Sequence, residues 1–226
     1  MAQLTLSQPH WEALTLATRE AFGMLPRLAC IDRFYLAGGT GLALHFGHRI
    51  SVDLDLFSDQ AETVGVDERA AMREVFDDPT LTITHDKDAT FVATWREVGV
   101  SFFRLPLYPL SRPTFLLDGV QVASVDEIGA MKLAAIMGRG TRKDFIDLYF
   151  ILQRISLETL FEVAAVKYVK VNSFAVSATR AMTYFEDAEA LPMPNVLTRV
   201  NWSKIKKFLN AKALEAGRKH LDELWH

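Results

Sequence analysis

Two aspartates two residues apart, Asp53 and Asp55, lie in the apolar segment SVDLDLF at residues 51–57. Alternate side chains of a β-strand share a face, so a strand here places both carboxylates on one side, ~7 Å apart. Like charges at that separation repel unless a cation lies between them, and Mg²⁺ takes carboxylate oxygens while keeping positions open for substrate phosphates. The segment therefore predicts a Mg²⁺ (or Mn²⁺) site, while an isolated D-x-D is also typical of a solvated sheet edge.

A glycine turn, Gly38-Gly39-Thr40, precedes the aspartates at a change from predicted strand (33–37) to predicted helix (40–46). Glycine lets backbone N–H groups approach a phosphate closely, and a helix N-terminus favours an anion. Thr40 is expected to be the N-cap, with a hydroxyl that could instead contact a phosphate oxygen. Alone, this turn is typical of a capped helix start. Followed by D-x-D thirteen residues later, it indicates a site for a triphosphate and its metal ions.

The second half of the chain carries charges at helical spacing. Lys132 and Arg139 are seven residues apart and share one predicted helix face, and Lys143 begins the next helix. Asp144 and Asp147 are three apart on that next helix. A solvated surface lysine and a first-turn acid are the simpler interpretations of Lys132 and Asp144. Asp147 lies mid-helix in the apolar run FIDLYF and is harder to explain as a surface charge.

The elements that must position these residues divide into an α+β region, 1–123, and a helical region, 124–226. The first contains a predicted helix at 7–30, three alternating strands and a hairpin with an Asp-Gly turn at 115–124. The second begins at the capping-box pattern of SVDE and continues with further predicted helices, at 156–170, 173–188 and 202–224.

Composition narrows the classes of function. The net charge of −3 excludes a generally basic nucleic-acid binder, although residues 1–125 carry −6 and residues 126–226 carry +3. Cys30 is the only cysteine, which excludes an intrachain disulfide and a cysteine-based zinc site, and its apolar neighbours favour a core thiol. Neither a signal pattern nor an apolar run of the ~20 residues that a membrane span needs is evident, so we expect a soluble, cytoplasmic protein.

Two segments, LAGGTGLALHFGHRISVDLDLF and EIGAMKLAAIMGRGTRKDFIDLYFIL, resemble the AbiEii/AbiGii-type nucleotidyltransferase toxin family. The resemblance covers most of residues 30–153. It implies an α+β polymerase-β-like nucleotidyltransferase core with a mixed β-sheet, 1–123, and a C-terminal helical domain, 124–226, that contributes Lys132 and Asp147 to the cleft. It further implies Mg²⁺-dependent transfer of a nucleoside monophosphate from an NTP to an acceptor.

By that resemblance the candidate residues take specific roles. The expected catalytic residues are Asp53, Asp55, Lys132 and Asp147, of which Asp53 and Asp55 hold the metal. The expected nucleotide-binding residues are Gly38, Gly39, Thr40, Arg49, Ser51, Lys132, Arg139, Lys143 and Asp144.

One feature departs from the general pattern of the polymerase-β-like fold. Many such enzymes carry a third carboxylate on a later strand, where VGVSFFRLP here offers Ser101. A non-catalytic nucleotide-binding protein is therefore the main alternative. A phosphatase with Asp53 as nucleophile is disfavoured because Phe57 occupies the position where Thr or Val is usual. A sugar-nucleotide glycosyltransferase is disfavoured because too little chain precedes the motif.

The resemblance also implies partners. A toxin of a type IV-like toxin–antitoxin or abortive-infection system would act on an RNA, such as tRNA, or on a protein, and an antitoxin or DNA-binding regulator would be encoded nearby. One predicted helix concentrates basic residues that could form an electrostatic track for RNA: Lys204, Lys206, Lys207, Lys212, Arg218 and Lys219. A solvated amphipathic helix is the simpler interpretation of the same pattern.

Overall fold

The computed structural model describes residues 4–60 and 64–224, with side chains described to residue 219. The chain forms two compact units, Met1–Ser124 and Val125–His226. None of the described helices is both long enough and apolar enough to cross a membrane.

The first unit is built on an eight-stranded mixed sheet in the order β1-β7-β8-β2-β3-β6-β5-β4. Its strands are β1 (Leu4–Thr5), β2 (Tyr35–Leu36), β3 (Leu54–Ser58), β4 (Thr82–Lys87), β5 (Thr90–Trp95), β6 (Val98–Arg104), β7 (Phe115–Leu117) and β8 (Val120–Val122). Two-residue turns with positive φ at both positions join β4 to β5, β5 to β6 and β7 to β8. Such turns match the natural strand twist, and the last of them, Asp118-Gly119, confirms the predicted hairpin.

One face of this sheet carries the core. Alternate strand residues such as Leu54 and Leu56 of β3 and Val100 and Phe102 of β6 are fully buried there. Helices α1 (Leu16–Met24), α2 (Gly38–Phe46) and α3 (Val66–Val75) belong to the same unit. Successive side chains of a strand alternate between the two faces of the sheet, so the residues between these core residues lie on the opposite face.

The second unit is helical throughout its described part. It comprises α4 (Val125–Gly138), α5 (Arg142–Ile151), α6 (Leu157–Lys167), α7 (Phe174–Ala181), α8 (Glu186–Glu189) and α9 (Trp202–Leu224). Helix α4 packs closely on α6 at Gly129, where an added Cβ would lie only 2.5 Å from Cδ2 of Leu160. The same pair of helices is joined by a buried ion pair, Lys167 Nζ to Glu127 Oε1 at 2.7 Å.

The predicted helix at 7–30 is wrong in its extent. A 3₁₀ turn at Trp11–Ala13, helix α1 and a second 3₁₀ turn at Leu25–Arg27 occupy this segment. The side chain of Thr15 accepts a hydrogen bond from the Thr18 N–H and caps α1. Pro26, which lacks an N–H, lies in the second 3₁₀ turn just after α1 ends. The predicted helix at 173–188 is likewise divided, into α7 and α8.

The predicted strand at 51–57 begins later, at Leu54, because the residues before it direct their backbone groups elsewhere. The Ser51 N–H donates to the carbonyl of Ala13 at 2.9 Å. The Val52 carbonyl accepts from the Thr18 hydroxyl at 3.4 Å. A strand from Ser51 would also place Val52 on the core face with Leu54 and Leu56, but Val52 is 36% exposed, so that expectation is wrong.

Candidate active site

The two aspartates lie on the sheet face opposite the core. Asp55 is a residue of β3, and its neighbour in register on the parallel strand β6 is Ser101. Asp53 immediately precedes β3, and its Oδ1 lies 2.6 Å from where a Cβ at Gly99 would be. Gly99 and Ser101 alternate with the core residue Val100 on β6 and therefore share a face. Both carboxylates thus lie on the same side of the sheet, Asp53 exposed and Asp55 half-buried.

The glycine turn lies directly against these residues. Gly38 has φ +62°, in the left-handed region, and a Cβ there would be 2.9 Å from Oδ2 of Asp55. A Cβ at Gly39 would collide with the guanidinium group of Arg49 and lie 3.1 Å from Oγ of Ser51. A side chain at either glycine would therefore displace a candidate site residue, which explains why this turn contains no side-chain bulk.

Thr40 connects the turn to the aspartates from inside the helix. Helix α2 begins at Gly38 with Ala37 as N-cap, so the predicted N-cap role of Thr40 is wrong. The Thr40 hydroxyl is buried, lies 2.8 Å from Oγ of Ser51 and donates to the backbone carbonyl of Asp53. It therefore ties the start of α2 to the chain just before β3.

The start of α2 presents backbone donors next to the carboxylates. The first intrahelical bond runs from the Gly41 N–H to the Ala37 carbonyl at 3.0 Å. The N–H groups of Gly38, Gly39 and Thr40 consequently have no acceptor within the helix. Such a helix start, carrying the positive end of the helix dipole, is suited to an anion.

In the helical unit, three of the candidate residues form one buried cluster. The Lys132 Nζ lies 2.9 Å from Asp144 Oδ1 and 2.7 Å from Asp147 Oδ2. The three side chains are at most 7% exposed. Arg139, with a side chain 70% exposed, reaches Asp144 Oδ2 at 3.5 Å. Lys143 is exposed at the start of the same helix, α5.

Asp144 is held in place by the N-cap of α5. The hydroxyl of Thr141 donates to Asp144 Oδ2 at 2.6 Å and the Thr141 N–H donates to the same oxygen at 3.3 Å. This leaves Oδ1 for Lys132. Burial, the largest influence, acts to raise the pKa of Asp144, but the Lys132 ammonium and the Thr141 hydroxyl outweigh it and hold that pKa below its ordinary value.

The structure therefore places the predicted residues in two groups. One, in the first unit, contains Gly38, Gly39, Thr40, Arg49, Ser51, Asp53 and Asp55. The other, in the second unit, contains Lys132, Arg139, Lys143, Asp144 and Asp147. Sequence reasoning missed two further members. Gly99 could have been found as an isolated glycine inside an apolar strand, a mark of close approach, and Thr141 as a threonine three residues before an acid.

The candidate metal site on the sheet offers two carboxylate ligands, Asp53 and Asp55, and not a full set of protein ligands. Among the described residues there is no group of three or more His, Cys, Asp and Glu side chains placed to hold an ion together. Mg²⁺ is typically bound by one or two carboxylates, with substrate phosphates and water completing its shell. The pair Asp53 and Asp55 fits that requirement.

Solved structures with the same architecture define the class. MenT4, a nucleotidyltransferase toxin from Mycobacterium tuberculosis H37Rv, superimposes with a TM-score of 0.61 at 18% identity, covering 89% of this chain and 83% of that one. A putative nucleotidyltransferase from H. pylori gives 0.54 at 15% identity, covering 93% and 97%. JHP933 from Helicobacter pylori gives 0.52 at 14% identity, covering 95% and 98%. The chain has a nucleotidyltransferase fold with a helical C-terminal region.

Sequence comparison then gives the family. The model of the nucleotidyl transferase AbiEii toxin family, of type IV toxin–antitoxin systems, matches residues 22–224. The chain belongs to this family, which confirms the resemblance inferred from its motifs. The uncharacterized protein aq_aa25 of Aquifex aeolicus (strain VF5) is 28% identical over 200 residues, 87% of this chain and 94% of that protein.

Proposed function

We propose that this protein transfers a nucleoside monophosphate from an NTP to an acceptor and requires Mg²⁺ or Mn²⁺. The observation that carries the proposal is the contact of Gly38 with Asp55 and of Gly99 with Asp53. These glycines leave both carboxylates side by side on an open sheet face, beside the N-terminus of α2. A site of this kind suits a polyphosphate with its cation.

Asp53 and Asp55 would hold the metal, which when bound would neutralise charge on the phosphates and align the α-phosphate for displacement. The N–H groups at the start of α2 bind the triphosphate. Arg49 and Ser51, packed against Gly39, keep that helix start in place. Within the helical unit, Asp144 and Asp147 orient Lys132. By the family resemblance, Lys132, Arg139 and Lys143 would offset charge on the phosphates.

We further propose that the protein acts in the cytoplasm as the toxin of a toxin–antitoxin or abortive-infection system, with an RNA such as tRNA as acceptor and a regulator encoded beside it. Family membership supports the toxin role and an antitoxin partner. The electrostatic track on α9 is weaker than its sequence suggests. Three of its six basic residues are paired with carboxylates: Lys206 with Glu189, Lys212 with Glu215 and Lys219 with Glu158.

A non-catalytic nucleotide-binding protein is the second candidate. The observation that favours it is Ser101, which stands in register beside Asp55 where a third carboxylate would serve as a base. A serine hydroxyl cannot accept a proton as a carboxylate does.

Incubation with each α-labelled NTP, Mg²⁺ and total RNA, followed by gel analysis and mass spectrometry, separates the two candidates. We expect label on RNA with wild-type protein and its loss, by about 10²-fold or more, in Asp53→Asn. Asp77→Asn, at an exposed aspartate distant in sequence from the site, is the matched control and should retain activity. Saturable, Mg²⁺-dependent NTP binding without any labelled product would support the non-catalytic alternative.

A further inference from the structure

A groove within the helical unit contains none of the residues assigned to the nucleotide and its metal. It lies between α6, α7 and α9 and has a volume of about 540 Å³. Its lining is mostly aliphatic or small, with four charged residues at its edges: Glu158, Phe161, Ala175, Val176, Thr179, Arg180, Thr183, Ala213, Leu214, Ala216, Gly217, Arg218 and Lys219.

The walls of this groove are apolar even where the residue type is polar. The Thr179 hydroxyl donates to the Ala175 carbonyl at 2.7 Å, and the Thr183 hydroxyl donates to the Arg180 carbonyl at 2.8 Å. Both hydroxyls are therefore satisfied by backbone carbonyls three or four residues earlier in the chain. A ligand in the groove meets aliphatic surface with few hydrogen-bonding demands.

Two aliphatic side chains stand in solvent on opposite walls. Val176 of α7 is 48% exposed and Leu214 of α9 is 62% exposed. Between them the residues are small, and a Cβ at Gly217 would meet nothing within 4 Å. The surface at Gly217 therefore has room for a partner's backbone to approach.

The charge at the edges is unbalanced. Glu158 is paired with Lys219. Arg180 and Arg218 contact no carboxylate among the side chains that the structure describes. The groove therefore presents an aliphatic floor flanked by two guanidinium groups.

We propose that this groove binds an acidic amphipathic helix of a partner protein. A helix docks in such a groove through apolar anchors at positions i, i+3 or i+4, and i+7, and its acidic flank would face Arg180 and Arg218. The lining of α9, residues 213–219, extends ~9 Å, which matches anchor side chains about one to two helical turns apart. A docked helix would remove the exposed apolar surface of both Val176 and Leu214 from water.

The probe is a fluorescein-labelled, end-blocked helical peptide with three leucines at i, i+3 and i+7 and glutamates on both flanks. One control peptide replaces every glutamate with lysine, and a second keeps the glutamates but replaces the leucines with glutamine. Fluorescence anisotropy at low ionic strength measures binding to the full chain. We expect the glutamate peptide to bind about ten-fold more tightly than either control.

Protein variants locate the peptide. Leu214→Asp should weaken binding about ten-fold or more, and Arg180→Glu with Arg218→Glu should make the lysine peptide the tighter ligand. Val166→Asp, at an α6 residue that is 58% exposed but outside the groove lining, is the matched control and should leave binding unchanged. Circular dichroism verifies folding. If Leu214→Asp does not fold, the change of peptide preference in Arg180→Glu with Arg218→Glu tests the proposal by itself.

The proposal is overturned if wild-type protein binds none of the peptides, binds the lysine and glutamate peptides equally, or responds equally to Leu214→Asp and Val166→Asp. Binding of dodecanoate without binding of the glutamate peptide would also overturn it and would assign the groove to a small amphipathic anion. Nucleotide transfer should be retained by Leu214→Asp, a groove residue with no role in the proposed nucleotide or RNA sites, so a failure of peptide binding and a failure of the proposed function are distinguishable.

Discussion

The two groups of candidate residues are built on opposite principles. Asp53 and Asp55 are at least partly exposed and are accommodated by glycines that leave space beside them. Lys132, Asp144 and Asp147 are buried and hold one another through charge. A carboxylate exposed to solvent can be replaced with little effect on folding, whereas a buried charge depends on its partners. Substitution of the two aspartates is therefore expected to affect ligand binding alone, and substitution in the buried cluster to affect both ligand binding and stability.

The largest expected difference in stability comes from Lys132→Met. Removing the ammonium leaves two buried carboxylates without their main counter-charge, which should lower the free energy of unfolding by about 3–5 kcal/mol. Asp53→Asn should change it by less than about 0.5 kcal/mol. Urea denaturation of the full chain, followed by circular dichroism, measures both.

A double variant tests the cause of that effect. Lys132→Met combined with Asp147→Leu should lose less stability than the two single variants added together, because the unpaired charge is partly removed. A loss below about 1 kcal/mol for Lys132→Met would show that the cluster contributes little, and the contrast between the groups would fail.

The second prediction concerns the space beside Asp55. Gly38→Ala imposes a side chain at φ +62° and places its Cβ against the carboxylate, so it should destabilise the first unit by about 1–3 kcal/mol. The matched control is Gly23→Ala in α1, where a Cβ meets nothing within 4 Å. That substitution should be neutral or stabilise by up to about 1 kcal/mol. Equal effects of the two substitutions in thermal unfolding would contradict a special role for Gly38.

The first group was more predictable from sequence than the second. Two glycines before a helix and a D-x-D segment are patterns of neighbouring residues, so a phosphate or metal site can be predicted from each without knowing how the chain packs. The contact of Gly99 with Asp53 depends on the parallel pairing of β3 with β6, which brings together residues far apart in the chain. The ion pairs of Lys132 depend on how α4 packs against α5. The spacing of apolar residues predicts that Lys132 and Asp144 each lie on a helix, but it does not predict that they pair.

The boundaries of several elements were also beyond sequence reasoning. The alternation in SVDLDLF predicts a strand from Ser51, but hydrogen bonds to Ala13, Thr18 and Thr40 remove the first three residues from the sheet. These partners lie 13 to 38 residues away along the chain. The bond from Thr40 also holds the start of α2 next to the aspartates, so residues 51–53, which are outside the strand, help to position the site.

The third prediction uses pH to probe the buried group. Because the pKa of Asp144 is lowered in the folded state, the unfolded state takes up the proton first as pH falls. The stability that Asp144 contributes is therefore complete above its ordinary pKa of about 3.9 and is lost as pH falls through the lower, folded-state value. Denaturation at a series of pH values between 6 and 2.5 should show a shallower loss of stability in Asp144→Asn than in wild type.

Thr141 offers a finer control of the same group. Thr141→Val removes a hydroxyl that lowers the pKa of Asp144 and caps α5, so it should cost about 1 kcal/mol at neutral pH and reduce the acid-dependent loss. Thr141→Ser keeps the hydroxyl and should resemble wild type. If all three proteins lose stability in parallel on acidification, another group controls the response.

The smallest expected effect concerns α9 and applies if RNA is the acceptor. Lys204 and Lys207 are exposed and, in the part of the chain that the structure describes, contact no carboxylate. Lys206 lies 2.5 Å from Glu189 and Lys212 lies 3.1 Å from Glu215. A lysine already paired within the protein gains less from a phosphate, so the two pairs of residues should differ in their contribution to RNA binding.

The measurement is the dependence of RNA affinity on salt. Each lysine that contacts a phosphate of a single strand adds about −0.7 to the slope of log affinity against log salt concentration, because counterions are released. Replacing Lys204 and Lys207 with glutamine should therefore flatten the slope by about 1.4, and replacing Lys206 and Lys212 should flatten it by less. Equal slopes in both double variants and wild type would mean that none of these four lysines contacts RNA, and would leave the proposed nucleotide site untouched.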